Sequence, residues 1–313
     1  MKKVLKIIGI VILILAAAAA AFLIYLAKRP AVAADYTAKV PTGGEIEARY
    51  LAMGSHEVSY LEQAGMQDFK KYEVYYPSDI ADGSSLYPVV IFSNGTGVKA
   101  SKYPAVLRHL ASWGFIVIGT EEEYSWNGFS SEMCLRWILR LNESESVEGW
   151  KNNPFFGHVD PDQIGVSGHS QGGVGVINAA TQNQHGSMIK AVFSASPANL
   201  TLASALMWDY DPSLISVPIF LVSSTGKSDE NLVVSGAQLQ EIYDAVPDTV
   251  TKVMARRTDA DHGDMLSFAD GYMTAWFLWQ LQGDAEAAKA FTGTNPEIMT
   301  NPLYTDQEEN IRS

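Results

Sequence analysis

The stretch IGVSGHSQGGVG, residues 164–175, decides the fold. A short apolar run from Gln163 to Val166 leads into Gly168, His169, Ser170, Gln171, Gly172 and Gly173, and small or apolar residues follow. Glycines two residues to either side of Ser170 remove side chains where a sharp strand-to-helix turn would crowd them, and they leave the serine hydroxyl exposed. The pattern therefore predicts a strand into the turn, a helix from Gly172 to Ala180, and a serine held up between them. It is informative only if strand and helix are really there, so the surrounding chain has to supply them.

The surrounding chain does so. Lys71–Tyr76 reads as a strand closed by Pro77, and Tyr87–Phe92 as a nearly all-apolar strand of the kind buried on both faces. A helix over Ser101–Trp113, a strand at Phe115–Gly119 and a helix over residues 131–141 come before the turn. After it the pattern predicts strands at Ala191–Ser194, Pro218–Ser223 and Thr249–Met254, a helix over Ser235–Tyr243, and a closing helix over Phe268–Gln282. Short strands alternating with helices make a doubly wound, mostly parallel α/β sheet. One domain over residues 44–303 holds it, followed by a C-terminal tail at 304–313. The stretch Ala198–Val217 is too short for a large lid. In such sheets chemistry gathers beyond the carboxyl ends of the strands, where Ser170 falls.

A serine hydroxyl is a weak nucleophile until a base takes its proton, and the base needs a carboxylate to orient it. On this topology the acid and then the histidine follow the serine in the chain. Of six histidines, His56, His109 and His158 precede Ser170, His169 is its neighbour, and His185 ends the helix after it. His262 remains, on the polar loop ARRTDADHGDM between a strand and a helix. For the acid, the loop after PIFLVS offers Asp229 and Glu230, and position alone leaves both open. Backbone N–H groups of Gln171 and of Thr96, in the SNGTG loop after YPVVIF, are the expected donors to a developing oxyanion. A metal site from Asp261, His262 and Asp264 is not expected, because three near-adjacent loop residues rarely all point inward.

Composition narrows the classes. A net charge of −13 over 313 residues disfavours nucleic acid as a partner, since that binding runs on Lys and Arg neutralising phosphates. The single cysteine, Cys134, excludes an intramolecular disulfide and a cysteine-based zinc site, and its amphipathic surroundings make it a small buried hydrophobe. At the N-terminus Ile7–Leu26 is an uncharged run of 20 residues, long enough for a bilayer's hydrocarbon core of roughly 30 Å. Residues 1–29 are therefore expected to be a membrane anchor or, with Ala31-Val32-Ala33 as a cleavage site, a signal peptide. Either exports the rest, and residues 30–43 read as a linker.

With these residues in place the chain resembles an α/β-hydrolase. It is most similar to the dienelactone-hydrolase-like branch that holds cutinase-like polyester hydrolases, platelet-activating-factor acetylhydrolases and chlorophyllases. The resemblance covers about residues 45–292. It runs through YYP at Tyr75–Pro77, YPVVIFSNG at Tyr87–Gly95, LASWGFIVI at Leu110–Ile118 and FFGHVDPDQIGVSGHSQGG at Phe155–Gly173, then ADH at Ala260–His262 and YMTAWFLWQLQGD at Tyr272–Asp284. It implies a serine esterase without cofactor that acts on a small-molecule ester through Ser170, His262 and an aspartate just before a short apolar stretch. Asp229, ahead of Leu232-Val233-Val234, fits that place, on a loop about two residues longer than usual. Polyester hydrolases of the branch carry aromatics where this chain has Thr96 and Ala198, so small acyl esters are expected over polymers. Trp126 and Trp208 are candidates to line the cleft. Acyl transfer or peptide cleavage could run on the same three residues, and a non-enzymatic binding domain is the remaining class.

Overall fold

A computed structural model describes residues 29–66 and 69–311. The expected membrane or signal segment lies outside the described residues, and no described helix is long and apolar enough to cross a membrane. Nine strands form one sheet: β1 (Val58–Ala64), β2 (Lys71–Pro77), β3 (Tyr87–Ser93), β4 (Ile116–Thr120), β5 (Val159–His169), β6 (Ile189–Ala195), β7 (Ile219–Ser224), β8 (Lys252–Arg257) and β9 (Tyr304–Asn310). Their order is β1-β2-β4-β3-β5-β6-β7-β8-β9. The pairs from β4 to β8 are parallel, whereas β1/β2, β2/β4 and β8/β9 are antiparallel.

Alternation along each strand builds two cores. Val90, Phe92, Phe220 and Val222 face one layer, and Val89, Ile91, Ile219 and Leu221 face the other. The helices supply the covering stripes. Helices α1 (Glu45–Leu51) and α2 (Pro104–Ser112) lie on the first face. Helix α3 (Phe129–Glu143) buries Cys134, Leu135, Ile138 and Leu141 on the second, a helical spacing. Helix α4 (Gln171–Gln182) follows β5 on that same face, and the 198–217 connection holds the short helix α5 (Leu200–Ala205) and a helical turn at Pro212–Leu214. Helix α6 (Gly236–Ala245) starts at a Ser235 and Gln238 capping box, and α7 (Met265–Phe268) and α8 (Asp270–Gln282) close the first layer. Burial pushes the Cys134 thiol well above its ordinary range, as suits a packing role.

Successive crossovers reverse direction at β3, which is flanked by β4 on one side and β5 on the other. The carboxyl ends of β3 and β5 therefore border a switch point, the place where open α/β sheets hold their ligands. The loop 94–97 and Ser170 both sit there.

Four points of the sequence reading are corrected, one of them an omission. Residues 304–310, expected in the tail, form edge strand β9 on β8. Only Tyr304 of that polar, acidic strand is buried, so no apolar alternation marks it. Strand β1 went unread for a similar reason, since neither of its faces is fully buried. Strand β8 is Lys252–Arg257, three residues later at both ends than the expected Thr249–Met254, because Arg256 and Arg257 are turned inward rather than into a loop. Arg257 is fully buried and binds Glu47 at 2.7 Å, Asp259 at 2.6 Å and the carbonyl of Pro41 at 2.6 Å.

The fourth correction concerns residues 30–43, which are not a free linker. The Ala31 N–H donates to the Lys102 carbonyl at 2.8 Å, and Val32 and Tyr36 are buried in the first core. The Tyr36 hydroxyl donates to Asp270, whose other contact is His109 Nδ1 at 2.7 Å, and neither side chain of that pair is exposed. A hydrogen bond to a buried carboxylate contributes more than a neutral one. Replacing Tyr36 by Phe should therefore lower the unfolding free energy by about 1.5–3 kcal/mol, measured by urea titration. An unchanged midpoint with an unchanged slope would mean that residues 29–43 are not part of the cooperative unit.

Candidate active site

Ser170 stands between β5 and α4 with φ 59° and ψ −121°, a backbone conformation that costs an L residue energy and persists only where neighbours enforce it. Here they do. A Cβ on Gly168 would lie 2.2 Å from the Gly172 carbonyl oxygen, and one on Gly172 would lie 2.1 Å from that of Ser93. The Ser170 N–H is tied to the Ala195 carbonyl at 2.8 Å, so β6 fixes the turn from the other side. The two glycines are thus a steric condition for packing the turn against β3, and the hydroxyl is the part left free to react.

Two further loops bring side chains to that hydroxyl. His262 begins a single helical turn after β8, and its Nε2 lies 2.9 Å from Ser170 Oγ. Its Nδ1 lies 2.6 Å from Asp229 Oδ1. A carboxylate only accepts, so Nδ1 carries the proton, and Nε2 is left as acceptor for the serine O–H. Asp229 comes from a single wide helical turn after β7, Asp229–Val233, and is completely buried. Burial raises its pKa, but hydrogen bonds from His262 and Ser224, the charge of His262 and the Ser196 hydroxyl outweigh that, holding the carboxyl below the usual carboxylate range. Its second oxygen accepts from Ser196 Oγ at 2.7 Å, Ser224 N–H at 2.9 Å and Ser224 Oγ at 2.6 Å.

The structure separates the two acid candidates. Glu230 points away, pairs with Arg256 and keeps 47% of its side chain exposed. Asp261 and Asp264 are occupied as caps of the His262 turn: Asp261 accepts from the His262 and Ser228 N–H groups, and Asp264 accepts from the Asp261 N–H. Among the described residues no three His, Cys, Asp or Glu side chains gather as a metal site. Four more histidines are engaged elsewhere, His56 with Asp79, His109 with Asp270, His158 with the Ser85 carbonyl and His185 with Glu132.

The 94–97 loop lies against the elbow, where a Cβ on Gly95 would stand 3.7 Å from Ser170 Cβ. Among the described residues no acceptor takes up the backbone N–H of Gln171 or of Thr96. The Gln171 side chain is turned inward and accepts from the Ser125 N–H at 2.8 Å. Trp126 and Trp208 are partly buried against the second core, and Asn178 ties their loops together through the carbonyls of Trp126 and Asp209. Ala198 is buried, so that position presents no side chain to solvent.

Three residues escaped the sequence reading. Ser196 and Ser224 clasp Asp229, and their signal was small polar residues at the carboxyl ends of β6 and β7. His169 was the third. Its Nε2 lies 2.7 Å from the His262 carbonyl oxygen.

Burial, and then the charge of His262, pushes the His169 pKa down to about 3. An unfolded histidine titrates near 6.5, so between those values the unfolded chain binds a proton that the folded one refuses. This contribution to stability is complete above about pH 6.5 and is lost as pH falls towards 3. Asp229, with its depressed pKa, acts in the same direction but only below the unfolded carboxylate's value near 3.9. From pH 6 to pH 4.5 the unfolding free energy should therefore drop by about 1.4 kcal/mol per pH unit on account of His169. His169→Gln should remove that part of the slope in urea titrations across the range, and an equally steep slope in the variant would contradict a buried, neutral His169.

A family model described as PET hydrolase-like matches residues 33–300. Among similar proteins, a bis(hydroxyethyl) terephthalate hydrolase of Streptomyces coelicolor is 25% identical over 228 residues, 71% of this chain and 64% of that protein. A platelet-activating factor acetylhydrolase of Cavia porcellus is 27% identical over 142 residues, 31% of this chain and 33% of that protein. Chlorophyllase-1 of Citrus sinensis is 21% identical over 206 residues, 63% of this chain and 60% of that protein. The chain thus spans less than two thirds of the length of each of these relatives.

Proposed function

This chain belongs to the PET hydrolase-like family, and from that premise we propose that it is a serine hydrolase of carboxylic esters in which Ser170, His262 and Asp229 act together. The observation that carries the reading is the hydrogen-bonded chain from Asp229 through His262 to Ser170, ending on the strained turn. Ser170 Oγ attacks the ester carbonyl carbon while its proton passes to His262 Nε2. The imidazolium so formed keeps its Nδ1–H on Asp229, whose depressed pKa means that it remains a carboxylate throughout. The oxyanion is received by the Gln171 and Thr96 N–H groups. His262 returns its proton to the departing alkoxide, leaving an acyl-Ser170; water, deprotonated by the same imidazole, then attacks the acyl carbon, and the proton passes back from His262 to Ser170 Oγ as the carboxylic acid leaves.

Small, soluble acyl esters fit better than polymers or long lipids. Thr96 has a small side chain, Ala198 is buried, and the 198–217 connection holds only a six-residue helix and a three-residue turn instead of a broad cover. The apolar run Ile7–Leu26 supports the further proposal that the protein is exported and held at a membrane.

Asp229→Asn should lower turnover of a nitrophenyl ester by up to roughly four orders of magnitude with the fold intact, because it sets the wrong tautomer on His262. Glu230→Gln should leave turnover within a few-fold. The reverse pattern would place the acid one residue along, and no loss in either variant would refute the loop. Acetyl and butyryl esters should be cleaved faster than palmitoyl esters, and a preference for the long chain would overturn the substrate class. The whole chain should fractionate with membranes, whereas a chain starting at Arg29 should not. A natural protein whose first residue is Ala34 would instead establish a cleaved signal.

A further inference from the structure

We infer that His169, the residue before the nucleophile, is a positioning residue that holds the loop of His262 so that its imidazole meets Ser170. The inference rests on the triad reading above and adds to it a residue that neither touches the substrate nor exchanges the proton.

Three contacts carry it. His169 Nε2 lies 2.7 Å from the His262 carbonyl oxygen, a group that only accepts, so Nε2 carries the imidazole proton. The two rings lie against each other, with centroids 4.5 Å apart and planes at 40°. His169 is also bonded to Ser170, whose backbone the neighbouring strands hold in a strained conformation. A closed circuit results: Ser170 to His262 through Oγ and Nε2, His262 to His169 through the carbonyl, and His169 to Ser170 through the peptide. Each link fixes the other two, so the 2.9 Å reach from base to nucleophile follows from the elbow itself.

The surroundings leave His169 little alternative. It borders a small cavity whose wall includes Phe92, Phe193, Ala195, Met265 and Met273, none of which offers its ring a strong acceptor. Of the polar groups on that wall, Ser167 Oγ is committed to Met273 Sδ and Asp270 Oδ2 to His109 and Tyr36, while Asp270 Oδ1 takes no hydrogen bond among the described residues. The ionisable neighbours of His169 are thus His262, Asp229 and Asp270. Burial keeps His169 neutral beside His262, so only one of the two facing rings takes a charge during the reaction. The Met265 N–H also donates to the His262 carbonyl, but it belongs to the same turn as His262 and cannot register that turn against the elbow. A displacement of about 1 Å between reacting groups can cost about a hundredfold in rate, which sets the scale of what this link protects.

The test compares His169→Phe, which keeps a ring of similar size and loses the donor, with His169→Gln, whose amide Nε2 restores a donor at similar reach. Steady-state rates on a short nitrophenyl ester and the downfield proton resonance of His262 Nδ1–H are read for both. In the Phe variant kcat should fall about ten- to a hundredfold with KM within about twofold, and the resonance should move upfield or broaden away. In the Gln variant both should return most of the way to the native values. His169→Met serves as the donor-free variant if the Phe side chain prevents folding, as judged by circular dichroism. Native kcat with an unmoved resonance in the donor-free variant would overturn the inference, and so would equal losses in the Phe and Gln variants. Ser170→Ala separates the two levels: if it still turns over, the triad reading fails, whereas an inactive Ser170→Ala beside a fully active Phe variant refutes the role of His169 alone.

Discussion

The closeness of β3 to the first turn of α4 is the constraint on which everything else rests. With Gly172 placed so that a Cβ would fall 2.1 Å from the Ser93 oxygen, helix and strand meet backbone to backbone. That contact forces the chain to rise abruptly out of β5, puts Ser170 at positive φ and aims its hydroxyl above the carboxyl edge of the sheet. Because β3 is also where the winding of the sheet reverses, the same contact brings the 94–97 loop beside the hydroxyl. A side chain at either glycine would meet backbone oxygen at about 2 Å and push these elements apart.

The acid arm obeys a different logic. Asp229 is removed from water, which by itself would favour its neutral form, and four donors from three elements reverse that preference. Two of those elements are the ends of β6 and β7, so the carboxylate is stabilised by the sheet and not by the loop that bears it. Ser196, itself at φ 42°, is held in that position by its N–H bond to the Val222 carbonyl at 2.7 Å. In the proposed mechanism a preorganised anion of this kind stabilises the His262 imidazolium without having to reorganise when the charge appears.

Much of this was legible in the residues because it was local. The elbow glycines, the apolar runs of β3, β5, β6 and β7 and the polar loop around His262 each declare themselves within a few positions, and elimination among six histidines left one. What was not legible depended on partners far away in the chain. Tyr36, 234 residues from Asp270, reads as part of a linker until its hydroxyl is seen on a buried carboxylate. Arg257 reads as loop until Glu47, 210 residues earlier, turns it inward. Strand β9 has no apolar rhythm because it is held by backbone pairing with β8, the buried Tyr304 ring and the Asp306–Arg256 ion pair rather than by an apolar face. Asp229 and Glu230 were indistinguishable by position, and they part only because Arg256 takes one and His262 the other.

The most direct test of the proposed chemistry is to look for the acyl group itself. A slowly released nitrophenyl ester is mixed with the protein, the reaction is quenched in acid within its first turnover, and the digested chain is mapped by mass spectrometry. The geometry calls for one acyl equivalent on the peptide that contains Ser170, absent when His262 is replaced by Ala. An adduct on another residue, or turnover that proceeds with no adduct at any quench time, would contradict a mechanism built on the elbow serine.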